Sequence, residues 1–293
     1  MALFALLIAG SFSLGARAAP FIESGALNAI RFAFAVILMG VVMLASTSSG
    51  SRRAALRPKA LWRFGVLGAL MGFYFITMFL ALKVTDPVST GAVFTLMPLM
   101  TAGFAYLFLR QVAGPTLLAS LVVAAAGAVW VIFRGDIDAL LSFDVGRGET
   151  IFFFGCMAHG AYAPLVKRFN RGEAVTVFTF WTLIGALVCI CIYAMPEIFS
   201  TDWRRLPIIV WTTIAYLAVF TTAATFFLLQ FAAMRIPSSK AIAYGYLTPV
   251  YIIMLEGLAG AGWASFSVMA GAFVTVAGLV ILVASPEKQL HER

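Results

Sequence analysis

The sequence predicts an all-helical protein that crosses a lipid bilayer many times, and three observations support this class. The chain has 293 residues, of which 62% are hydrophobic and 11% are charged, whereas a soluble domain has about 25% charged residues. Its mean hydropathy is +1.01. Its apolar residues form long unbroken runs, unlike the alternating runs of about 10 residues in outer-membrane barrels. These observations exclude an ordinary water-soluble enzyme and disfavour a barrel.

A helix needs roughly 20 apolar residues to cross a bilayer, so runs of about that length bounded by charged residues, Gly or Pro are candidate spans. Ten candidate spans result, numbered here in chain order: Ala2–Phe21, Gly25–Ala45, Phe64–Leu82, Pro87–Leu109, Pro115–Phe133, Thr150–Val166, Ala174–Met195, Ile208–Ala233, Ala241–Ala259 and Trp263–Ala284. The longest connections are Ser46–Arg63 and Arg134–Glu149. Little chain therefore remains for a domain outside the membrane.

The first span has an alternative interpretation as a secretory signal peptide. Ala16-Arg17-Ala18-Ala19 has the small residues of a cleavage site after an apolar core. However, no Lys or Arg precedes that core, and signal peptides begin with a positively charged region. We therefore expect a retained span.

The distribution of basic residues predicts the orientation. If the N-terminus is inside, 13 of the 20 Lys and Arg residues fall on the inner side and 7 on the outer side. Lys and Arg concentrate in cytoplasmic connections, so both termini are predicted to be cytoplasmic. The net charge of +8 then reflects loops that face anionic lipid, and we expect no nucleic-acid partner.

The two halves of the chain resemble each other weakly. Leu96-Met97-Pro98 in span 4 corresponds to Leu247-Thr248-Pro249 in span 9, and Ala126-Gly127 in span 5 corresponds to Ala277-Gly278 in span 10. Both pairs are separated by 151 residues, as are Phe75 and Phe226. Five spans per half is an odd number, so the second half enters the membrane from the opposite side. Inverted repeats of this kind are the architecture of many secondary transporters, with the substrate site near the midplane.

The same residues resemble those of a known family. Leu80-Ala81-Leu82, Leu96-Met97-Pro98-Leu99 and Ala126-Gly127, with the later Leu247-Thr248-Pro249-Val250 and Ala277-Gly278, resemble the duplicated EamA domains of the drug/metabolite transporter superfamily. Arg31-Phe32 is similar to the Arg-aromatic pair of that family. Arg171-Gly172, Val175-Thr176-Val177-Phe178 and Tyr246-Leu247-Thr248-Pro249-Val250 resemble the YddG type of bacterial amino-acid exporter. The chain departs from the family pattern at Gly10-Ser11 and His159.

The resemblance implies ten transmembrane helices in two inverted five-helix repeats around a central cavity. The repeats would cover residues 1–133 and 149–285, with a connecting loop at 134–148 and a cytoplasmic tail at 286–293. The resemblance also implies location in the bacterial inner membrane and efflux of amino acids, aromatic ones included, or of related small metabolites. Exporters of other drugs or metabolites share this fold and stay open as alternatives.

Polar and aromatic side chains inside apolar spans are the candidate substrate-binding residues, because a polar group in hydrocarbon needs a partner or a water-filled cavity. His159 and Tyr162 are three residues apart and share a face of span 6. The further candidates are Tyr74 in span 3, Tyr244 and Tyr246 in span 9, and Lys240 near the start of span 9. Helix–helix hydrogen bonds are the alternative for His159, and snorkelling to the lipid headgroups is the alternative for Lys240 and Arg31.

Pro98 and Pro249 are candidate hinges. A proline inside a helix removes a backbone hydrogen bond, so we expect a bend in the middle of spans 4 and 9. Because the two prolines occupy equivalent places in the two halves, the bends could gate the cavity. A static kink is the alternative.

Several classes of function are disfavoured. The sequence has no Gly-rich Lys-Ser/Thr phosphate loop, and its two His residues, His159 and His291, are too few for a metal site. An intramembrane enzyme acting on lipids usually needs clustered Asp, Glu or His, which the spans lack. We therefore expect no cofactor, no metal and no catalysis, and a small-molecule substrate with membrane lipids as partners; the sequence leaves the oligomeric state open, and a monomer fits it.

Overall fold

The computed structural model describes residues 1–48, 51–112, 114–142, 145–236 and 238–284. The predicted tail at 286–293 lies outside the described residues, as do residues 143 and 144 of the predicted loop. Each of the ten predicted spans is helical within the part of the chain described. We number the helices in chain order: α1 Ala2–Ala18, α2 Ser24–Ser46, α3 Trp62–Ala81, α4 Pro87–Leu109, α5 Pro115–Ile132, α6 Arg147–Phe169, α7 Val175–Ser200, α8 Ile208–Ala233, α9 Ser238–Leu258 and α10 Phe266–Ala284.

Seven of these helices are long and apolar enough to cross a membrane: α2, α3, α4, α5, α7, α8 and α9. Two shorter apolar helices, Ala2–Ala18 and Phe266–Leu282, accompany them. The remaining helix, α6, is 23 residues long and carries Glu149 in its first turn and Lys167 and Arg168 in its last. The structure is therefore that of an all-helical polytopic membrane protein, and the crossing of the membrane by all ten helices stays a prediction.

The outer surface of the bundle is apolar, as a lipid-facing surface must be. Ile37 and Val41, one turn apart on α2, have 64% and 62% of their surface exposed. Leu107 on α4 is 66% exposed. The interior is mostly apolar as well, but the buried polar side chains, such as Asn28, Arg31 and His159, lie within it. Substrate contacts are accordingly expected inside the bundle.

Helices α4 and α9 are both interrupted next to the two prolines that the sequence singled out. Helix α4 consists of Pro87–Phe94 and Met97–Leu109, and α9 consists of Ser238–Ala243, a 3₁₀ turn at Tyr244–Leu247, and Thr248–Leu258. Pro98 and Pro249 are each the second residue of the later segment. The residues two positions before the prolines, Leu96 and Leu247, keep right-handed helical dihedral angles, so each interruption lies where the proline lacks the N–H of a backbone hydrogen bond. Bending or gating at these two points stays a prediction.

Helix α8 is also irregular, because Leu217–Ala224 forms a π-helical stretch between two α-helical segments. Such stretches place one extra residue in the turn and often occur at functional sites. This one lies beside α2, since the Thr222 hydroxyl accepts a hydrogen bond from the Arg31 Nε atom.

Helices α5 and α10 pack closely through glycine. A Cβ atom at Gly127 would lie 2.6 Å from the Gly271 carbonyl oxygen and 2.8 Å from the Thr275 nitrogen. A Cβ atom at Gly278 would lie 2.7 Å from both the Ser120 carbonyl oxygen and the Ala124 Cβ. Small residues allow backbones in membranes to approach this closely. Since later residues of α5 meet earlier residues of α10, the two helices run antiparallel.

Candidate functional site

Aromatic side chains from six helices meet inside the bundle. We call this group the central cluster; it consists of Phe12, Phe32, Tyr74, Phe75, Phe94, Phe152, His159, Tyr162 and Phe226. These side chains are at most 3% exposed. The rings of Tyr74 and His159 lie 4.6 Å apart, and those of His159 and Tyr162 lie 5.9 Å apart, between ring centroids. The structure therefore brings together three of the residues that the sequence singled out.

The position of the central cluster follows from the break in α4. The first segment of α4 ends at Phe94, and that ring lies 6.4 Å from His159 and 6.5 Å from Tyr74, between centroids. Gly245, in the 3₁₀ turn of α9, approaches the same ring, because a Cβ atom there would lie 2.7 Å from Phe94 Cε1. Both interrupted helices thus border the cluster at their interruptions.

Two polar atoms in the central cluster are buried without a hydrogen-bond partner among the described residues. They are the Tyr74 hydroxyl and the His159 Nδ1 atom. An unpartnered buried polar atom costs roughly 1–3 kcal/mol, and most buried polar groups in proteins are hydrogen-bonded. The pair is therefore suited to hydrogen-bond a polar ligand.

Tyr162 joins the central cluster to a polar network on α7 and α8. The Gln230 Nε2 atom donates a hydrogen bond of 2.6 Å to the Tyr162 hydroxyl, and the Thr179 hydroxyl donates to Gln230 Oε1. All three residues are fully buried. This network fixes the Tyr162 ring against Phe226, at 6.0 Å between centroids.

Arg31 is a further functional candidate, which was not among the substrate-binding residues predicted from the sequence. Snorkelling was the alternative considered for it, but the structure leaves Arg31 fully buried. Its guanidinium carbon lies 4.0 Å from the Phe75 ring centroid, with Phe32 and Phe79 at 5.3 and 5.6 Å. Neither Nη atom has a hydrogen-bond partner in the described part of the chain. The signal available in the sequence was an arginine two turns inside an apolar span.

The remaining sequence candidates lie elsewhere. Tyr246 is fully buried and packs with Tyr244 against α5 and α10, and its hydroxyl has no partner among the described residues. Lys240 is partly buried near the start of α9. Gly245, which lies between Tyr244 and Tyr246, approaches the Phe94 ring of the central cluster. Their role in substrate binding stays a prediction.

An ion pair joins α3 to the connection between α6 and α7. Arg63 is 1% exposed, and its Nη2 atom lies 2.6 Å from Glu173 Oε1. It also donates hydrogen bonds to the Lys59 and Phe169 carbonyls. Burial raises the pKa of Glu173, but hydrogen bonds from Arg63 and from backbone N–H groups outweigh burial and leave the pKa below its ordinary value. We call this pair the Arg63–Glu173 clasp.

A cavity of about 340 Å³ opens at the other end of α6. Charged and polar side chains line it, among them Thr85, Arg134, Asp136, Arg147 and Glu149. The Thr85 hydroxyl donates a 2.5 Å hydrogen bond to Glu149, which is 6% exposed. Among the described residues no group of three His, Cys, Asp or Glu side chains could hold a metal ion.

Comparisons with known proteins agree with this architecture. A solved structure described as "Crystal structure of protein" has a TM-score of 0.72 and 19% sequence identity, covering 96% of this chain and 94% of the other; at that identity it shows the fold alone. The chain is 25% identical over 281 residues to the uncharacterized transporter YyaM of Bacillus subtilis (strain 168), covering 94% of this chain and 90% of that protein. It is 27% identical over 216 residues to protein PecM of Dickeya dadantii (strain 3937), covering 69% and 68%.

The sequence model of the EamA-like transporter family matches residues 1–133 and residues 146–284. Together these segments include nearly the whole chain, and the match confirms the family resemblance seen in the sequence. The proteins of this family carry small molecules across membranes and are not enzymes. The chain therefore belongs to the EamA-like transporter family and is a multi-pass membrane transporter.

Proposed function

We propose that this transporter exports amino acids, aromatic ones included, or closely related small metabolites across the bacterial inner membrane by alternating access. The observation that carries the proposal is the central cluster. It offers aromatic faces for an apolar group and two unpartnered polar atoms, on Tyr74 and His159, for a polar one. Ligand sites are typically apolar with a few placed polar groups, and a small amphipathic metabolite matches that combination.

In many transporters two inverted, related halves provide the two conformations of alternating access, and the contact between α5 and α10 supports such halves here. Gly271 and Thr275, which meet Gly127, stand 151 residues after Ser120 and Ala124, which meet Gly278. Gly127 and Gly278 are separated by the same 151 residues. The contact is thus reciprocal, as in a twofold interface. Equivalent helices that pack antiparallel are related by an axis perpendicular to them, which lies in the membrane plane.

The centre of the bundle supports the same symmetry. Phe75 and Phe226, again separated by 151 residues, stack on each other with ring centroids 6.1 Å apart and an interplanar angle of 18°. Two equivalent residues can touch only near an axis that exchanges them. Both belong to the central cluster, so the proposed substrate site lies on the axis between the halves, as in other inverted-repeat transporters.

The proposed halves are residues 1–133, which contain α1–α5, and residues 149–285, which contain α7–α10 and α6 except its first two residues. The chain would then cross the membrane ten times with both termini in the cytoplasm. The two segments matched by the family, 1–133 and 146–284, support this division. The sequence likeness to YddG-type exporters supports amino acids as substrates. Pro98 and Pro249 are the second residues of the later segments of α4 and α9, which makes the two interruptions the proposed hinges.

Uptake into proteoliposomes tests the proposal. The purified protein, reconstituted into vesicles loaded with unlabelled L-phenylalanine, should accumulate radiolabelled L-phenylalanine with saturation, because a carrier exchanges substrate across the membrane. Saturable exchange of another metabolite, with none for any amino acid, would assign the protein to the alternative substrates. An absence of saturable exchange for any of the amino acids would contradict the amino-acid proposal.

A pair of matched variants links transport to the central cluster. Tyr74→Phe removes only the buried hydroxyl and should raise the half-saturation concentration about 2- to 10-fold, the effect of one hydrogen bond. Tyr106→Phe makes the same change on α4, where the tyrosine is 62% exposed, and should leave exchange unchanged. Equal kinetics in the two variants would remove the Tyr74 hydroxyl from the site.

A further inference from the structure

We infer that Arg31 binds the carboxylate of the transported molecule, and that the site requires this carboxylate but does not require an amino group. The inference rests on the proposed function and specifies which substrate group is recognised. The class of substrate is then a monocarboxylate with an apolar or aromatic tail. Amino acids are members of this class, but so are carboxylates that have no amino group.

The hydrogen-bonding state of Arg31 is the first step. A guanidinium is always charged and has five N–H donors. The Nε donor is used, on the Thr222 hydroxyl at 3.1 Å. The four donors on Nη1 and Nη2 have no partner among the described residues, although the side chain is fully buried. A buried charge with unmet donors is strongly unfavourable unless an anion completes it.

The depth of Arg31 in α2 also indicates a specific role for its side chain. Arg31 lies seven residues after the start of α2, about 10 Å along the helix at 1.5 Å per residue. An arginine at that depth can usually extend to the headgroups, but this side chain turns inward and stacks on Phe75 at 4.0 Å. Contact with aromatic faces offsets part of the cost of burying the charge, but it gives the Nη atoms no hydrogen-bond acceptor among the described residues.

The described residues contain no acidic partner for Arg31. Their carboxylates lie in connections or terminal turns of helices, at Glu23, Asp86, Asp136, Asp138, Glu149, Glu173, Glu197, Asp202 and Glu256. The ion pairs that the structure records use other basic residues. The planar guanidinium matches a carboxylate, which it can bind through two parallel hydrogen bonds. A substrate carboxylate would therefore supply the missing anion.

The neighbours of Arg31 indicate where the rest of the substrate lies. Phe75, on which Arg31 stacks, is 4.7 Å from Tyr74 between ring centroids, and Tyr74 is 4.6 Å from His159. A molecule with its carboxylate on Arg31 would thus have its apolar tail among the rings of the central cluster. An ammonium group would meet only neutral acceptors there, such as the unpartnered Asn28 Oδ1 and the Tyr74 hydroxyl. The amino group therefore adds little to binding.

Four compounds test this inference on the unaltered protein: L-phenylalanine, 3-phenylpropionate, 3-phenylpropanamide and phenethylamine. Affinity is measured from the concentration dependence of the thermal shift of the purified transporter in detergent, because a ligand stabilises the folded state by mass action. We expect L-phenylalanine and 3-phenylpropionate to bind with similar affinity. The amide and the amine, which lack the carboxylate, should bind about 10- to 100-fold more weakly, as expected for the loss of charged hydrogen bonds.

Variants of Arg31 test whether this residue causes the preference for carboxylates. Arg31→Gln should abolish the preference for 3-phenylpropionate over its amide, and Arg31→Lys should retain part of it, since lysine keeps the charge but lacks the planar fork. Arg235→Gln is the matched control, because Arg235 also stacks on a phenylalanine, Phe231, at 3.6 Å, but is exposed. If Arg31→Gln does not fold, Arg31→Lys and the four-compound series still decide.

Three results would overturn the inference: equal binding of 3-phenylpropionate and its amide, preference for phenethylamine, or no binding by any of the four compounds. Saturable L-phenylalanine exchange with an unchanged half-saturation concentration in Arg31→Gln would also overturn it, while leaving the proposed function intact. Conversely, binding of both carboxylates without exchange would contradict the proposed function and support the Arg31 assignment. The two proposals can thus fail separately.

Discussion

At the scale of single residues, the most informative feature is the set of buried polar atoms that lack partners. Spacing alone predicted that His159 and Tyr162 share a face, and the structure places both rings in contact with the same cluster. Spacing could not reveal that Arg31 turns inward, because a side chain of that length can reach either the headgroups or the interior. Spacing also could not predict that Tyr74 lies in the central cluster whereas Tyr246 packs against α5 and α10, since both positions depend on how distant helices pack.

His159→Ala is the residue-scale prediction. The substitution removes an imidazole that contacts Tyr74 and an Nδ1 atom available to the ligand, so the affinity for L-phenylalanine should fall about 10-fold. Phe154→Ala is the control, because Phe154 lies on the same helix but is 54% exposed on its outer face. Thermal-shift titration measures both affinities. An unchanged affinity in His159→Ala would place the residue outside the binding site.

At the scale of helices, the sequence indicated where α4 and α9 are irregular but not how. The repeated Leu-X-Pro motif marked equivalent positions, and a bend was expected because proline inside a helix costs a hydrogen bond. The structure ends one helical segment before each proline and starts another at the residue that precedes it, and bending at these points stays a prediction. Hydropathy could not predict the interruptions, since an interrupted and a continuous helix leave the same apolar residues in the membrane. The interruptions bring Phe94 and Gly245 together at the central cluster.

The Arg63–Glu173 clasp gives a pH-dependent prediction for the helix ends. The pKa of Glu173 is lowered from 4.5 in the folded protein. A lowered pKa means that the carboxylate stabilises the fold above the unfolded-state pKa, and that this contribution is lost as the pH falls through the folded-state pKa. The stability gap between the wild type and Glu173→Gln should therefore be about 1 kcal/mol near neutral pH, since water screens the pair. It should shrink below pH 4.5.

Thermal or denaturant unfolding in detergent at a series of pH values measures this gap. Asp202→Asn provides the control, because the Asp202–Arg205 pair joins two exposed residues, 55% and 89% exposed, of one connection. Neutralising it should change stability little at any pH. A gap between the wild type and Glu173→Gln that is constant with pH would show that the charge of Glu173 does not support the clasp.

At the scale of the whole molecule, composition was sufficient to predict an all-helical membrane protein, and the weak repeat was sufficient to predict its family. Composition does not fix the number of crossings, because α1 and α10 are short and α6 carries charged ends. Which faces of the helices meet could not be predicted, since lipid and protein interior are both apolar. The reciprocal glycine contacts of α5 and α10, and the stacking of Phe75 on Phe226, become visible only in the folded bundle.

The inverted arrangement of the halves is the central claim, and labelling of two equivalent connections tests it most directly. The α2–α3 connection contains Arg57 and the α7–α8 connection contains Asp202, both exposed. Single-cysteine variants Arg57→Cys and Asp202→Cys, in a protein whose three native cysteines are replaced by alanine, are treated in intact bacteria with a membrane-impermeant maleimide. We predict labelling at position 202 immediately, and at position 57 only after the membrane is permeabilised. Labelling of both positions from the same side would contradict the inverted repeat.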